Sequence, residues 1–177
     1  FQEVGGLTKV KIDSLGKSMV LKKIVKELED NLSIYKKAIN QNGFIEHLNE
    51  TIKELKQYSI DPIELSSKIN EVKEETLKHK LEDVALIYNA FNEYLEDKYI
   101  DDEDHINLLI DSIEKASFLE GTEIWIDGFH KFTPQTLRII EKLLIKTQGV
   151  TVVITHDFSD NENNLFYIPQ STLERLR

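Results

Sequence analysis

Ile124-Trp125-Ile126-Asp127 is a short apolar run that ends in an aspartate and is bounded by Gly121 and Gly128. It has the form of a Walker B strand, whose terminal carboxylate holds magnesium beside a nucleotide. An active motor carries a glutamate at the next position to orient the attacking water. Here that position is Gly128, which can neither accept a proton nor align water. Asp127 is therefore either the vestige of a nucleotide site or the end of a buried strand that caps the next turn. Just beyond it, Phe129 and Phe132 flank His130-Lys131. Ligands of open α/β sheets bind past the carboxyl ends of the strands. Aromatic faces there stack on unpaired bases at about 1–3 kcal/mol per base. The alternative is packing under the following helix, and the spacing favours packing for one ring while leaving the other open.

The remaining candidates for chemistry have simpler readings. Gly16-Lys17-Ser18 resembles the end of a phosphate loop, but the first glycine of that pattern falls on Lys11. The preceding Thr8–Asp13 stretch also alternates and carries charge, so the tripeptide reads as a turn before a helix. Asp101-Asp102-Glu103-Asp104 lacks the alternating spacing and central glycine of a calcium loop. A helix cap with first-turn acids accounts for it. The five histidines never occur as H-x-x-x-H, which leaves zinc unsupported. His156-Asp157 looks like half a triad, yet no serine lies in a G-x-S-x-G elbow. No catalytic residue and no metal ligand set is expected in this stretch.

Composition narrows the class further. The 177 residues carry 22 Lys+Arg against 32 Asp+Glu, a net charge of −10, and no cysteine. Disulfides, thiolate metal sites, iron–sulfur ligation and thiol nucleophiles are excluded for these residues. Autonomous high-affinity phosphate binding needs clustered Lys and Arg, which an acidic chain does not supply. Hydrophobic residues at 40% and charged residues at 31% are those of a globular chain. No apolar run approaches the ~18–20 residues of a membrane span. The expectation is a cytoplasmic protein that does not grip nucleic acid alone.

The elements that must position these residues fall into two parts. The spacing predicts a helix from Ser18 through Leu21, Ile24, Val25, Leu28, Leu32, Tyr35 and Ile39, closed by Asn42-Gly43. A second follows through Phe44, Leu48, Ile52, Leu55 and Tyr58, and Asp61-Pro62 opens a third. A charged stretch, 70–79, leads into a longer helix with Leu77, Leu81, Val84, Tyr88, Phe91 and Leu95 on one face. Ile106, Leu109, Ile110 and Ile113 mark one more. The last third differs: a strand to Asp127, a helix opened by Thr133-Pro134 and stopped by Gly149, and a β-branched strand over 150–155. That is a parallel βαβ unit. It has too few strands for a stable sheet, and the chain then ends in polar residues with no core of their own. The predicted fold class is α/β and predominantly helical, divided as a lead-in segment (1–17), a helical part (18–117) and a βαβ part (118–177).

Trp125-Ile126-Asp127-Gly128-Phe129, then Phe132-Thr133-Pro134-Gln135 and the Leu137–Leu144 helix, resembles the AddB (RexB) family. These are B-type components of bacterial ATP-dependent helicase/deoxyribonucleases, in which an I-D-G-F-x-x-F-T-P-Q-E stretch ends an aborted Walker B strand. The match fails at Thr136, where the family usually has glutamate. Gly5-Gly6-Leu7, Gly16-Lys17-Ser18-Met19 and the Lys80–Tyr88 segment are also similar to the family. The resemblance implies a superfamily-1-like helicase fold, a RecA-like core interrupted by a helical insertion, with 1–17 and 118–177 belonging to the core. It implies a degenerate helicase segment, without catalysis of its own, in a heterodimer with an A-type helicase–nuclease subunit. That complex processes double-strand breaks for recombinational repair and reads a hotspot in the passing single-stranded DNA. By the same resemblance an iron–sulfur cluster, Mg²⁺ and, in members with a phosphate loop, ATP belong to the full-length protein, none of them to this stretch. Asp127 is then a vestigial nucleotide-site residue, and Phe129 and Phe132 are candidate DNA contacts. The rival reading is an acidic helical adaptor that docks protein partners and has no nucleic-acid role.

Overall fold

The computed structural model describes residues 9–155 and 167–176. It divides into two compact units, one over Leu7–Ile106 and one built from Asn107 onward. The architecture is α/β and mostly helical, with two small parallel sheets of two strands each.

The first unit contains β1 (Val10–Lys11), α1 (Ser14–Glu27), α2 (Phe44–Gln57), α3 (Pro62–Ile69), α4 (Glu75–Leu95) and β2 (Tyr99–Ile100). Val20, Leu21, Ile24 and Val25 of α1 meet Leu48 and Ile52 of α2 and Ile87, Tyr88, Phe91 and Leu95 of α4 in one core. A smaller cluster joins Leu65 and Ile69 of α3 to Val84 and Ala85 of α4. Most of these are the i, i+3, i+4 positions that periodicity marks as buried; on α4, however, Leu77 of the marked face is exposed, while Ala85 and Ile87 beside that face are buried against the neighbouring helices. Asp61 caps α3 as its sequence requires, its Oδ1 accepting the N–H groups of Ile63 and Glu64, each at 2.8 Å.

Two departures from periodicity have identifiable causes. The first helix starts at Ser14, because Asp13 is its N-cap and its Oδ1 accepts the Gly16 N–H at 2.7 Å. Gly16, Lys17 and Ser18 therefore lie within helical turns, and neither the turn nor a phosphate-cradling loop forms there. Lys17 is buried, and its ammonium lies 3.4 Å from the Glu103 carboxylate. The same helix ends at Glu27 although apolar spacing continues to Ile39; Glu29–Asn31 and Tyr35–Lys37 are single 3₁₀ turns. Asp83 of α4 is the reason. Its buried carboxylate accepts the N–H groups of Ser33, Ile34 and Tyr35, each at 2.8 Å. Three amides that a continuous helix would bond internally are thereby satisfied from another element, while Leu32 stays buried.

The acidic run 101–104 opens α5 (Asp102–Ile113). Asp101 Oδ1 accepts the Asp104 N–H at 2.9 Å, which is the expected capping role. It does more than cap. Lys56 of α2 donates to Asp101 at 2.7 Å and to Asp104 at 2.6 Å, Lys17 of α1 faces Glu103, and Lys11 of β1 meets Asp102 at 2.7 Å. Four successive acids thus take lysines from three elements, and β1 pairs in parallel with β2 immediately before them, Val10 with Tyr99 and Lys11 with Ile100. Burial raises the Asp104 pKa from its ordinary value, the Asp101 charge adds to the rise, and Lys56 opposes it. The hydrogen bond from Lys11 lowers that of the more exposed Asp102.

In the second unit, β3 (Glu123–Ile126) pairs in parallel with β4 (Gly149–Val152), with α6 (Pro134–Lys146) between them. The βαβ pattern is present as its sequence predicts, the second strand being shorter than the β-branched run. The register sets Ile124 beside Val150, Trp125 beside Thr151 and Ile126 beside Val152. Parallel partners share a face, so the half-buried Ile and Val side chains line one face. Trp125, 69% exposed, shares the other with exposed Thr151 and Val153. Near the end of the chain, α7 (Tyr167–Leu176) replaces the coreless polar tail, with Pro169 and Thr172 buried. His156-Asp157 and Leu165 lie outside the described residues.

Replacing Lys56 with Met leaves the Asp101 carboxylate buried without its cation, and a loss of about 3–5 kcal/mol is expected in urea denaturation. Adding Asp101→Asn to Lys56→Met should recover part of that loss. The raised pKa of Asp104 means that the folded chain holds this proton more tightly than the unfolded chain. Its contribution to stability therefore falls as pH rises above 3.8 toward the folded value. Unfolding free energies measured across acidic to neutral pH should show the advantage of wild type over Asp104→Asn shrinking as pH rises; a flat difference contradicts the assignment.

Candidate functional site

The residues singled out as candidates lie on one loop, 127–133, between the end of β3 and the start of α6. The loop is held at both ends. Thr133 is the N-cap of α6, its Oγ1 accepting the Thr136 N–H at 3.2 Å, and Pro134 occupies the first turn, where a missing N–H costs nothing. At the other side Thr172 of α7, itself buried, donates its hydroxyl to the His130 carbonyl at 2.8 Å. Gln135, at the start of α6 and also buried, donates to Asn107 Oδ1 at 3.1 Å. Neither anchor is visible in the local sequence, because each joins residues 28 or more positions apart.

Asp127 follows the strand directly and is exposed. Its Oδ1 accepts the N–H of Gly128 at 2.7 Å, a local turn bond. Gly128 has φ 81°, in the left-handed region that a side chain disfavours by about 1–2 kcal/mol. The glutamate of an active motor would have to sit on that backbone. Glycine here permits the turn that follows the strand. Among the described residues, no group of three or more His, Asp or Glu side chains is placed to hold a metal ion.

Phe129 and Phe132 come together with ring centroids 5.6 Å apart and planes 30° from parallel. Their exposures separate them. Phe132 is 2% exposed, whereas Phe129 is 51% exposed. The structure makes the choice that spacing left open: residue 132, next to the Thr133 N-cap of α6, is buried, and residue 129 is exposed. The site therefore offers one aromatic face to solvent, backed by a second ring, beside one carboxylate. It can stack on a planar group.

The family model described as "ADDB, N-terminal" matches residues 1–177. A protein of Alkaliphilus metalliredigens (strain QYMF) is 51% identical over 180 residues, covering 100% of this chain and 16% of its own length. One of Thermoanaerobacter sp. (strain X514) is 41% identical, covering 99% and 16%, and one of Bacillus thuringiensis (strain Al Hakam) is 37% identical with the same coverage. All three are named as the B-type component of an ATP-dependent helicase/deoxyribonuclease. The chain spans 16% of the length of these relatives. With a family match over its full length and relatives at this identity, the chain belongs to the ADDB N-terminal family.

Proposed function

We propose that this chain is a non-catalytic, helicase-like segment of the B-type component (AddB) of an ATP-dependent DNA helicase/deoxyribonuclease. In that reading residues 18–117 are a helical insertion, 1–17 and 118–177 are part of a RecA-like core, and Asp127 is the remnant of a Walker B site. The full-length AddB-type protein pairs with an A-type helicase–nuclease subunit, and the complex processes double-strand breaks for recombinational repair. The segment lines the path of single-stranded DNA and takes part in reading the hotspot. The observation that carries this is Phe129, held half-exposed just beyond the strand end, with a buried aromatic ring behind it.

Further support comes from what surrounds that ring. A parallel sheet is ordinarily covered on both faces, and the open Trp125 face fits a sheet that is part of a larger core. The names of the relatives supply the helicase/deoxyribonuclease role. An iron–sulfur cluster, Mg²⁺ and ATP belong in this reading to other parts of the full-length protein. The residues present do not fit them: the chain has no cysteine, and Asp127 stands without a second acidic partner in its loop.

The chain alone should hydrolyse no ATP with or without Mg²⁺, and Asp127→Ala should change nothing. Gly128→Glu should lower stability by about 1–2 kcal/mol, through its left-handed backbone, without creating turnover. Mg²⁺-dependent hydrolysis abolished by Asp127→Ala would overturn the non-catalytic reading. In the full heterodimeric complex, Phe129→Ala should weaken single-strand binding by about 1–3 kcal/mol and blunt the hotspot response. Phe132→Ala should act differently, lowering folding stability by about 3–5 kcal/mol. An unchanged hotspot response in Phe129→Ala, measured by fragment lengths on hotspot-containing DNA, refutes the base-stacking role.

A further inference from the structure

The loop that presents Phe129 is held from an element far away in sequence, since His130 and Thr172 are 42 positions apart. Thr172 lies inside α7, and a threonine within a helix ordinarily turns its hydroxyl to the carbonyl four residues back. That bond is present, to Ile168 at 3.0 Å. The same hydroxyl is nearer to the His130 carbonyl, at 2.8 Å, so its one proton is shared between two acceptors. Thr172 is 6% exposed, and the Ile168 bond alone would satisfy a buried hydroxyl. Burial therefore does not account for the contact with His130. Valine has the same shape without the donor, so what threonine adds at this position is the bond across to the loop.

The place of the acceptor gives that bond its consequence. His130 follows Phe129 directly, and Lys131 separates it from Phe132. The carbonyl that Thr172 holds thus lies in the two-residue bridge between rings whose centroids are 5.6 Å apart. Fixing that peptide unit limits the backbone rotations that would carry the ring of residue 129 away from that of residue 132. At one end of the bridge Phe132 is buried and its packing holds it, whereas Phe129 is half-exposed and has less packing to hold it. On the other side of Phe129 stands Gly128, the residue type with the widest backbone freedom. The orientation of the exposed ring therefore depends on what fixes the bridge. A ring held in advance loses less freedom when a planar group stacks on it, and that preorganisation appears as affinity. We propose that Thr172 is a positioning residue for Phe129: its hydroxyl, acting through the His130 carbonyl, holds the exposed ring in the orientation that meets an unpaired base. The proposal deepens the base-stacking reading above and rests on it.

The test uses the full-length AddB-type protein and its complex with the A-type subunit. Thr172→Val keeps the side-chain shape and removes the donor, Thr172→Ala removes it without the branched carbon, and Thr172→Ser keeps it. Thr147→Val is the control: the Thr147 hydroxyl also bonds the carbonyl four residues back, that of Leu143 at 2.8 Å, but at the end of α6 remote from the loop. With p-trifluoromethylphenylalanine in place of Phe129, the fluorine resonance of the full-length protein should move toward its unfolded position in Thr172→Val and Thr172→Ala. It should stay in place in Thr172→Ser and Thr147→Val. Single-strand binding by the complex should weaken about two- to tenfold in Thr172→Val and Thr172→Ala, the range that one hydrogen bond supplies. Thr172→Ser should match wild type. Combined with Phe129→Ala, Thr172→Val should weaken binding no further, because no ring remains to be positioned. A fluorine resonance unmoved by loss of the hydroxyl overturns the proposal, as does an equal loss of binding with and without the Phe129 ring. If Phe129→Ala itself leaves binding unchanged, the base-stacking reading falls and this assignment with it. If Phe129→Ala weakens binding while Thr172→Val and Thr172→Ala match wild type, only the Thr172 assignment falls.

Discussion

Lys56 is buried in the helical unit, where placing an ammonium is costly unless carboxylates accept its hydrogen bonds. Asp101 and Asp104 supply them at 2.7 and 2.6 Å, with the Phe91 ring 5.7 Å away. Removing either sign leaves a charge stranded in low dielectric, so α2 and the start of α5 are placed together or not at all. Lys17 and Glu103 repeat the arrangement from α1. With the α5 start located, the residues just before it, Tyr99 and Ile100, lie where β1 can pair with them. Such pairs add less net stability than apolar packing of the same volume. Their contribution here is to register, because each lysine has its acid on a different element.

Asp83 imposes a second constraint of the same kind. One carboxylate collects three consecutive backbone amides and so ends a run whose side-chain pattern would allow helix to continue. The segment between α1 and α2 is thereby turned back toward α4. That turn brings Ile39 and the 40–43 segment beside Leu15 and Met19 of α1, around a surface cavity of about 400 Å³. A buried acid in one helix thus shapes a surface made by others.

The second unit is built on a different rule. Its strands are half-buried on one face and open on the other, and its loop carries an exposed aromatic ring. The glycine that follows Asp127 takes a left-handed conformation that a side chain there disfavours. The bend beyond it presents Phe129 and is tied by Thr133, Thr172 and the ring of Phe132.

Helix faces, the Asp61-Pro62 start, the βαβ pattern and the position of the aromatic loop were legible in local sequence, because each depends on spacing or on capping by a neighbour. The absence of a catalytic glutamate and of cysteine was legible for the same reason: residue identity alone establishes it. The end of α1 at Glu27 was not, since its apolar positions are satisfied equally by helix or by the observed turns. Nor was the second role of the 101–104 acids, because a cap is local whereas Lys11, Lys17 and Lys56 are distant in sequence. The division of labour between Phe129 and Phe132 belongs with these. Two identical side chains three residues apart carry no local signal of which is buried, and only the packing of α6 and α7 around the loop separates them.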